Sequence, residues 1–284
     1  RLDRRGHHAE AELQASQIEY SASAQYFVPW PYPSTRLLTF FGGVGFFDPD
    51  WSESWRVATG ASFAHSRWGW RETISLAYEY EDWKIADQSG VSHLVLPTVS
   101  WTRVRADDPI IPLRGSRLRV DVRGAHEALL STTTFLQLWS EIKVVRGLLP
   151  RVRLIGRGTA ARTFTDGFAD LPPTHRFVTG GDQTVRGYAF ESLGPENADG
   201  AIVGGNSLAI LGGELEYRFL DSWGVAGFVD AGNALEDFSG RLAIGAGAGV
   251  RWFSPIGIVR LDGAFGLSDP GDPFRLHLAI GPDL

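Results

Sequence analysis

The feature of this chain that most constrains its fold is an alternation of apolar and polar residues over segments longer than ordinary strands. Residues 70–83 show it most clearly: Ile74, Leu76 and Tyr78 share one parity, and Ser75 lies on the other with Glu79. A period of two residues is that of a β-strand whose two faces meet different environments. Globular strands usually have about 5–6 residues, whereas a strand that crosses a membrane needs about 9–11. The alternation therefore predicts strands of membrane-spanning length.

The same pattern recurs along the whole chain and predicts nine strands before residue 165 and five after residue 205, with no helix of useful length. Pro97 cannot donate to a ladder, so a bulge or local irregularity is predicted there. Fourteen is an even number, which places both ends of a bacterial barrel on its periplasmic side. The predicted strands cover residues 7–18, 20–28, 36–47, 54–67, 70–83, 93–104, 117–123, 135–146 and 151–164, then 208–220, 225–235, 241–253, 258–267 and 274–280.

The predicted fold class is all-β: a transmembrane antiparallel β-barrel with about 14 visible strands, in one domain over residues 1–284. Its 34 glycines and 34 aromatic residues (Phe 17, Trp 10, Tyr 7) suit such a barrel. The main alternative is a large soluble β-sandwich or lectin-like domain that binds carbohydrate. We expect the lipid face to carry Ile74, Leu76, Leu118, Val120, Leu136, Leu276 and Leu278, and the lumen to carry Arg71, Arg119, Glu141, Arg251 and Arg275.

The composition argues against several function classes. With no cysteine, the chain forms no disulfide, thiolate nucleophile or cysteine metal site. A net charge of −6 without a basic stripe gives no reason to expect a nucleic-acid partner. The seven histidines lack metal-ligand spacing, and no Gly-x-Ser-x-Gly elbow occurs. We therefore expect no catalytic residues, no metal and no cofactor. One candidate function for such a barrel is that of a porin, which lets small solutes diffuse passively through an open lumen.

The longest interval without strand alternation runs from residue 165 to residue 205, and it is not composed like a linker. It carries several apolar and aromatic residues that a solvated segment would avoid. Loops of this length inside a compact domain are usually functional or disordered, and this one is predicted to fold back into the lumen of the barrel with an arginine near its tip. Its motif consists of Gly180, Gly181, Asp182, Val185, Arg186, Gly187 and Tyr188.

Four blocks of sequence, in order, resemble one known superfamily: Val185-Arg-Gly-Tyr188, Phe228-Val-Asp-Ala-Gly232, Gly249 to Gly257, and Ile280-Gly-Pro-Asp-Leu284. It is the outer-membrane assembly and secretion superfamily that contains BamA, TamA and the two-partner-secretion transporters. The stretch 180–195 and the chain terminus resemble most the TamA branch, the translocation and assembly module. The resemblance spans roughly residues 7 to 284.

The resemblance implies a 16-stranded barrel whose first hairpin precedes Arg1, with periplasmic POTRA domains farther upstream. It implies a Gram-negative outer-membrane protein that helps to insert or translocate outer-membrane or secreted proteins. A two-partner-secretion transporter, or a barrel fused to an upstream enzyme, is the alternative within the superfamily. The implied partners are outer-membrane lipid, lipopolysaccharide, unfolded outer-membrane or autotransporter clients, and an inner-membrane-anchored periplasmic protein.

The loop arginine needs a carboxylate, because a guanidinium does not lose its proton and a buried unpaired charge is costly. Asp230 is the first choice, since strand parity turns it inward and its counterpart in the family pairs with the loop; Glu216 is the second. Glycine at every second position, in Gly245, Gly247 and Gly249 on the face of Arg251, predicts a bare strand wall on which the loop sits. The last strand, with Phe274, Leu276, Leu278 and Ile280 facing lipid, is predicted to pair with the first.

Overall fold

The computed structural model describes residues 6–30, 35–254, 257–268 and 274–281. Over these residues the chain forms one antiparallel sheet of fourteen strands in sequence order, the sheet of a β-barrel, which confirms the predicted fold class. The strands are β1 His8–Ala15, β2 Glu19–Pro29, β3 Arg36–Phe47, β4 Glu53–Arg67, β5 Trp70–Ile85, β6 Gln88–Ala106, β7 Arg114–Ala125, β8 Phe135–Leu149, β9 Val152–Thr165, β10 Ser207–Arg218, β11 Trp223–Leu235, β12 Ala243–Ser254, β13 Gly257–Gly266 and β14 Phe274–Gly281.

The connections divide the barrel into two ends. One end, called here the loop end, carries the long segment 166–206 between β9 and β10; the other, the short-turn end, carries turns such as 68–69 and 150–151. The three 3-10 helices, Glu127–Leu129, Phe168–Asp170 and Pro173–His175, all lie at the loop end. Within the described part of the chain, no helix is long and apolar enough to cross a membrane.

The side chains alternate between the two faces as a pleated strand requires. In β11, for example, Val225 and Val229 are exposed on the outer face, whereas Phe228 and Asp230 are buried on the inner face. Ile74, Leu76, Leu136, Leu276 and Leu278, predicted to face lipid, are all exposed on the outer face. The long apolar strands thus present a hydrocarbon-facing surface, and charged residues such as Asp230 point into the lumen.

At Pro97, where a bulge or local irregularity is predicted, β6 has no bulge but ends its pairing with β7. β5 and β6 pair without a register shift past this residue, with Leu76 opposite Pro97. On its other side β6 pairs with β7 only from Thr98 onward, so the missing N–H of Pro97 interrupts no ladder. Before Pro97 the segment between β7 and β8 replaces β7 as the hydrogen-bond partner of β6: Ser131 Oγ accepts from the amide of Val95 at 3.0 Å.

Two edges of the sheet remain distinct. Within residues 8–29 and 274–281, no ladder joins β1 to β14, so the predicted pairing of the last strand with the first is not seen there. Phe274, Leu276, Leu278 and Ile280 all lie on the outer face of β14 and are exposed. Residues 282–284, which carry the end of the terminal motif, lie outside the described residues, as do residues 1–5.

The packed core lies inside the barrel, and the segment 166–206 supplies much of it. Each of four apolar clusters combines strand residues with residues of this segment. In the first cluster Leu171 packs beside Leu94 and Phe135. In the second Phe177 lies against Leu208 and Ile210. The remaining two clusters join Val178, Ile202 and Val203 to Trp51, Trp83 and Ile85, and Val185 and Tyr188 to Ala243.

A candidate lumen site centred on Arg186

Two parts of the segment between β9 and β10 lie against charged residues of the inner wall. We call residues 171–178 the stem and residues 180–188 the tip. The tip is a compact turn, in which the amide of Thr184 donates to the carbonyl of Gly181 at 3.1 Å and Thr184 Oγ1 accepts from the amide of Gly180 at 3.0 Å. Gly180 and Gly181 both adopt positive φ, 108° and 103°. This local geometry projects Val185 and Arg186 toward β10–β13.

Arg186 is buried, with 6% of its surface exposed, and binds three carboxylates of the wall. Its Nε donates to Asp230 Oδ2 at 2.7 Å, and its Nη1 donates to Glu214 Oε2 at 2.8 Å and to Asp262 Oδ2 at 2.9 Å. The guanidinium also stacks on Phe228, with Cζ 3.3 Å from the ring centroid. Charge-assisted bonds of this kind are about twice as strong as neutral ones, so the tip is fixed on three strands by one side chain.

Three further arginines complete an ion network around these carboxylates. Arg157 Nη2 lies 2.8 Å from Asp230 Oδ1, and Arg251 binds both Glu214 and Asp262. Arg153 and Arg251 contact Glu216, at 2.8 Å from Arg153 Nε and 3.3 Å from Arg251 Nε. The network therefore balances four guanidinium groups with four carboxylates. Pairing of this completeness is what makes buried charges tolerable.

The adjacent carboxylates stabilise the positive charge of Arg186. Burial alone opposes its charged form, but the adjacent carboxylates of Asp230 and Glu214 outweigh that effect and raise the pKa of Arg186 above its ordinary value. The tip therefore carries a permanent positive charge at every physiological pH.

The tip also contacts the last two strands. Gly187 has φ +97°, and a Cβ there would lie 2.6 Å from the backbone carbon of Phe265, so only glycine fits. The amide of Gly187 donates to His277 Nε2 of β14 at 2.9 Å, and His277 Nδ1 binds Asp182. Because Nε2 accepts a hydrogen bond, the proton of the neutral ring lies on Nδ1. His277 thus joins the tip to the final strand.

The glycine-rich strand β12 forms the floor below the tip. A Cβ on Gly245 would lie 1.8 Å from the carbonyl oxygen of Arg186, so that residue is the direct seat of the loop. Gly247 and Gly249 do not touch the tip: they leave space for the ring of Phe228 and for the carboxylate of Asp262. Tyr188 closes the site from the side, since its hydroxyl donates to the carbonyl of Ile244 at 3.2 Å.

The structure brings together most of the residues singled out from sequence and separates one. Asp230 contacts Arg186 directly, whereas Glu216, the second choice, holds Arg153 and Arg251 instead. Glu216 lies two residues beyond Glu214 on β10, about 7 Å nearer the short-turn end. Sequence reasoning did not identify Glu214, Asp262, Arg157, Phe228 or His277 as contacts of the tip. Strand parity turns Glu214 and Asp262 inward and could have identified both as candidate partners of Arg186, since each is a carboxylate on a strand next to β11 or β12.

The stem is held by different chemistry. Arg176 donates to the carbonyls of Leu171, Ala169 and Val203 at 2.8 to 3.1 Å, and burial lowers its pKa to about 10. His175 Nε2 lies 3.1 Å from Glu79 Oε2, and Thr174 donates to Glu81. Burial also lowers the pKa of His175. The stem therefore rests on bonds from Arg176 to neutral acceptors and on single contacts to the wall carboxylates Glu79 and Glu81.

A known family profile, described as the Omp85 superfamily domain, matches residues 4–283. Over 216 residues the chain is 25% identical to the outer membrane protein assembly factor BamA of Nitratidesulfovibrio vulgaris, a match covering 72% of this chain and 27% of that protein. The chain thus spans about a quarter of that relative's length.

Solved structures of similar fold include BamA from Haemophilus ducreyi lacking POTRA domains 1-3, with a TM-score of 0.82 at 16% identity, covering 98% of this chain and 64% of that one. CdiB from Escherichia coli gives a TM-score of 0.63 at 13% identity, covering 93% and 53% of the two chains. At these identities the likeness shows the fold alone.

Proposed function

The chain belongs to the Omp85 superfamily of outer-membrane proteins, and on that premise we propose that it acts as an assembly factor, which inserts or translocates other outer-membrane or secreted proteins through a gated barrel. The observation that carries the proposal is the buried pairing of Arg186 with Asp230, Glu214 and Asp262. It fixes a loop inside the lumen, where a passive pore would need open space.

The second support is the free side of β14 among the described strands. β14 pairs with β13 on one side only within residues 274–281, and an unpaired strand edge can template an incoming strand by β-augmentation. The tip reaches the same strand through His277. A client strand that adds to β14 would therefore act next to the strand that holds the loop. The likeness to the TamA branch, the POTRA domains and the periplasmic partner stay predictions.

The proposal is tested by reconstituting the chain into liposomes and adding a urea-unfolded outer-membrane β-barrel protein as client. We expect the client to reach its heat-modifiable, protease-protected form faster than in empty liposomes. Arg186→Ala should lose most of that gain, because the loop is released from the wall. Gly227→Ala is the matched control, since a Cβ there meets nothing within 4 Å. Client insertion no faster than in empty liposomes would reject the proposal.

Single-channel conductance separates this function from that of a porin. The segment 166–206 packs into the lumen through four apolar clusters and an ion network. We therefore expect a small or flickering conductance for the native chain and a larger one for Arg186→Ala. A large, steady open pore in the native chain, together with no acceleration of client insertion, would favour the porin.

A further inference from the structure

Five arginines form a one-sided rim on the outer face of the barrel at its short-turn end. They are called here the arginine rim: Arg67, Arg103, Arg105, Arg114 and Arg146. Strand pairing fixes their outward direction, because Arg103 lies opposite Leu118 and Arg114 lies opposite Arg146, while the inward residues of β7 alternate with these positions. The rim therefore runs across β4, β6, β7 and β8.

Tryptophans surround part of this rim. A pocket of about 380 Å³ opens on the outer face between Trp68, Trp70 and Trp101. The guanidinium of Arg67 stacks on Trp68 at 4.1 Å, and that of Arg103 lies 5.4 Å from the ring of Trp70. Tryptophan at this level of a membrane protein marks the boundary between hydrocarbon and headgroups. The rim thus sits at headgroup depth, beside a pocket whose lining is mostly apolar and also includes His65 and Glu72.

The rim lacks countercharges among the described residues. None of its five arginines lies within 4.0 Å of a described carboxylate. The nearby carboxylates are engaged elsewhere: Glu72 accepts from Trp101 Nε1 at 2.7 Å, and Asp107 accepts from the amides of Leu113 and Arg114.

Within the rim, Arg114 and Arg146 repel each other at the closest range. They are direct cross-strand neighbours, and like charges placed opposite each other destabilise a sheet. An anion shared between the two would turn that repulsion into attraction.

The opposite side of the barrel has no such charge. At the same end, the outward residues of β10–β12 are apolar or aromatic, such as Tyr217, Val225 and Val250. Trp223 and Trp252 stack there at 6.3 Å between ring centroids. A uniform girdle for membrane anchoring would not need five arginines on one side only. The asymmetry indicates a local binding surface.

We propose that the arginine rim binds the phosphate headgroup of an anionic phospholipid in the periplasmic leaflet, with the upper part of an acyl chain in the tryptophan pocket. The short turns place this end toward the periplasm. Guanidinium groups bind phosphate through paired hydrogen bonds, and cations at a membrane surface attract anionic lipid. The proposal goes beyond the assembly function and does not depend on it.

The test compares two lipids with identical acyl chains, phosphatidylglycerol and phosphatidylcholine, offered in equal amounts to the detergent-solubilised chain. Native mass spectrometry counts the molecules of each that stay bound. We expect the native chain to retain phosphatidylglycerol preferentially. The triple variant Arg103→Gln/Arg105→Gln/Arg146→Gln should weaken that preference roughly tenfold or more, since each surface cation contributes about a fivefold factor.

The matched control removes three charges at the same end but on the inner face: Arg71→Gln/Arg117→Gln/Arg119→Gln. Its lipid preference should stay within about twofold of the native value, because lumen cations do not face the leaflet. Heat-modifiable migration checks that each variant folds. If the outward triple does not fold, Arg146→Gln alone and a salt titration replace it, and the preference must still fall in both.

Three results would overturn the proposal. Equal retention of the two lipids by the native chain would remove the charge selectivity and leave an acidic protein segment as the occupant. Equal losses in the outward and inward triple variants would show an unspecific charge effect. Displacement of phosphatidylglycerol by an equimolar amount of inorganic phosphate would show a free anion site rather than a lipid site.

Discussion

The tip and the stem belong to one loop, yet they hold an arginine in opposite ways. At the tip, Arg186 meets three carboxylates, each of which also binds a second arginine. At the stem, Arg176 meets backbone carbonyls and the amide oxygen of Gln88. Both side chains are buried, with about 6% and 5% of their surface exposed. Burial alone therefore does not distinguish them; the surrounding charge does.

The pKa values follow this difference. Burial opposes charge at both sites, but at the tip the carboxylates overcome it and the pKa of Arg186 rises. At the stem the pKa of Arg176 falls to about 10, because burial acts there with only one carboxylate, that of Asp170, to oppose it. The tip is thus an electrostatic anchor, and the stem is a packed, hydrogen-bonded support. Breaking each should have a different cost.

The stem is also less completely satisfied. His175 Nδ1, Glu81 Oε1 and Arg56 Nε are buried without a hydrogen-bond partner in the described part of the protein. A cavity of about 340 Å³ adjoins them, lined also by Glu79 and Arg123. Buried polar groups without partners cost stability. We therefore expect the stem to detach from the barrel wall before the tip does.

The largest expected effect is the loss of Arg186 or Asp230. Removing one partner of a buried ion pair costs about 3–5 kcal/mol, because the other charge stays buried and unpaired. We expect Arg186→Ala and Asp230→Ala each to lower the free energy of unfolding by about that amount, measured by urea denaturation in lipid vesicles. The double variant should be little worse than either single one, because the two residues act as one unit.

Gln88→Ala is the comparison at the stem that matches Asp230→Ala at the tip, since each removes a wall partner of a buried arginine. Gln88 is neutral and accepts two bonds from Arg176 at 3.2 Å, so its loss should cost roughly 1 kcal/mol for each bond. Losses that add fully in the Arg186 and Asp230 double variant would contradict the paired-charge account of the tip. Equal costs of Asp230→Ala and Gln88→Ala would remove the distinction between the two sites.

The contacts of the tip can be predicted from the sequence much better than those of the stem. Strand parity placed Asp230 inward, and the motif around Arg186 marked the loop, so one contact of the network could be anticipated. Glu214 and Asp262 were missed because the choice among inward carboxylates depends on how far down the lumen the tip reaches. Nothing in the sequence marks His175 or Arg176 as residues that hold the stem. Arg176 binds backbone carbonyls, which every residue has, and the side-chain partners of the two residues lie about 90 positions away in sequence.

The second prediction concerns the seat of the tip. Gly245→Ala places a Cβ against the carbonyl oxygen of Arg186, and overpacking of this kind costs about 1–3 kcal/mol. The backbone of β12 cannot move freely, so the tip should lift. Limited trypsin digestion should then cut the bond after Arg186 faster. Gly227→Ala, on the outer face of β11, should leave that rate unchanged; equal rates in both variants would exclude a direct seat.

The third prediction is smaller and concerns the stem. Thr174→Val keeps the shape of the side chain but removes the hydroxyl that donates to Glu81. We expect a loss of about 1–2 kcal/mol in the free energy of unfolding, because the bond is to a charged group. Amide hydrogen exchange should rise in residues 171–178 and not in residues 180–188. Thr174→Ser, which keeps the donor, should restore protection. Faster exchange at the tip as well would show that the two sites open together.

The smallest expected effect is a response of the stem to pH. The pKa of His175 is lowered from its ordinary 6.5 by burial, while its contact with Glu79 partly opposes that shift. The released stem therefore binds a proton at a pH where the docked stem does not. Docking is fully stable above about pH 6.5 and weakens as the pH falls, because protons favour the released form.

Arg56, Arg123, Glu79 and Glu81 all face this histidine from neighbouring strands, so the test must isolate the imidazole. Hydrogen exchange at pH 7.5 and 5.5, corrected for intrinsic rates, should rise at the stem of the native chain. His175→Gln, which does not titrate, should show no such rise. The tip is compared in a His277→Gln variant, which removes the histidine that the tip contacts; there it should respond at neither pH, since the raised pKa of Arg186 keeps it charged throughout. A pH response at the tip that matches that of the stem would mean that the loop is held as one body and not at two independent sites.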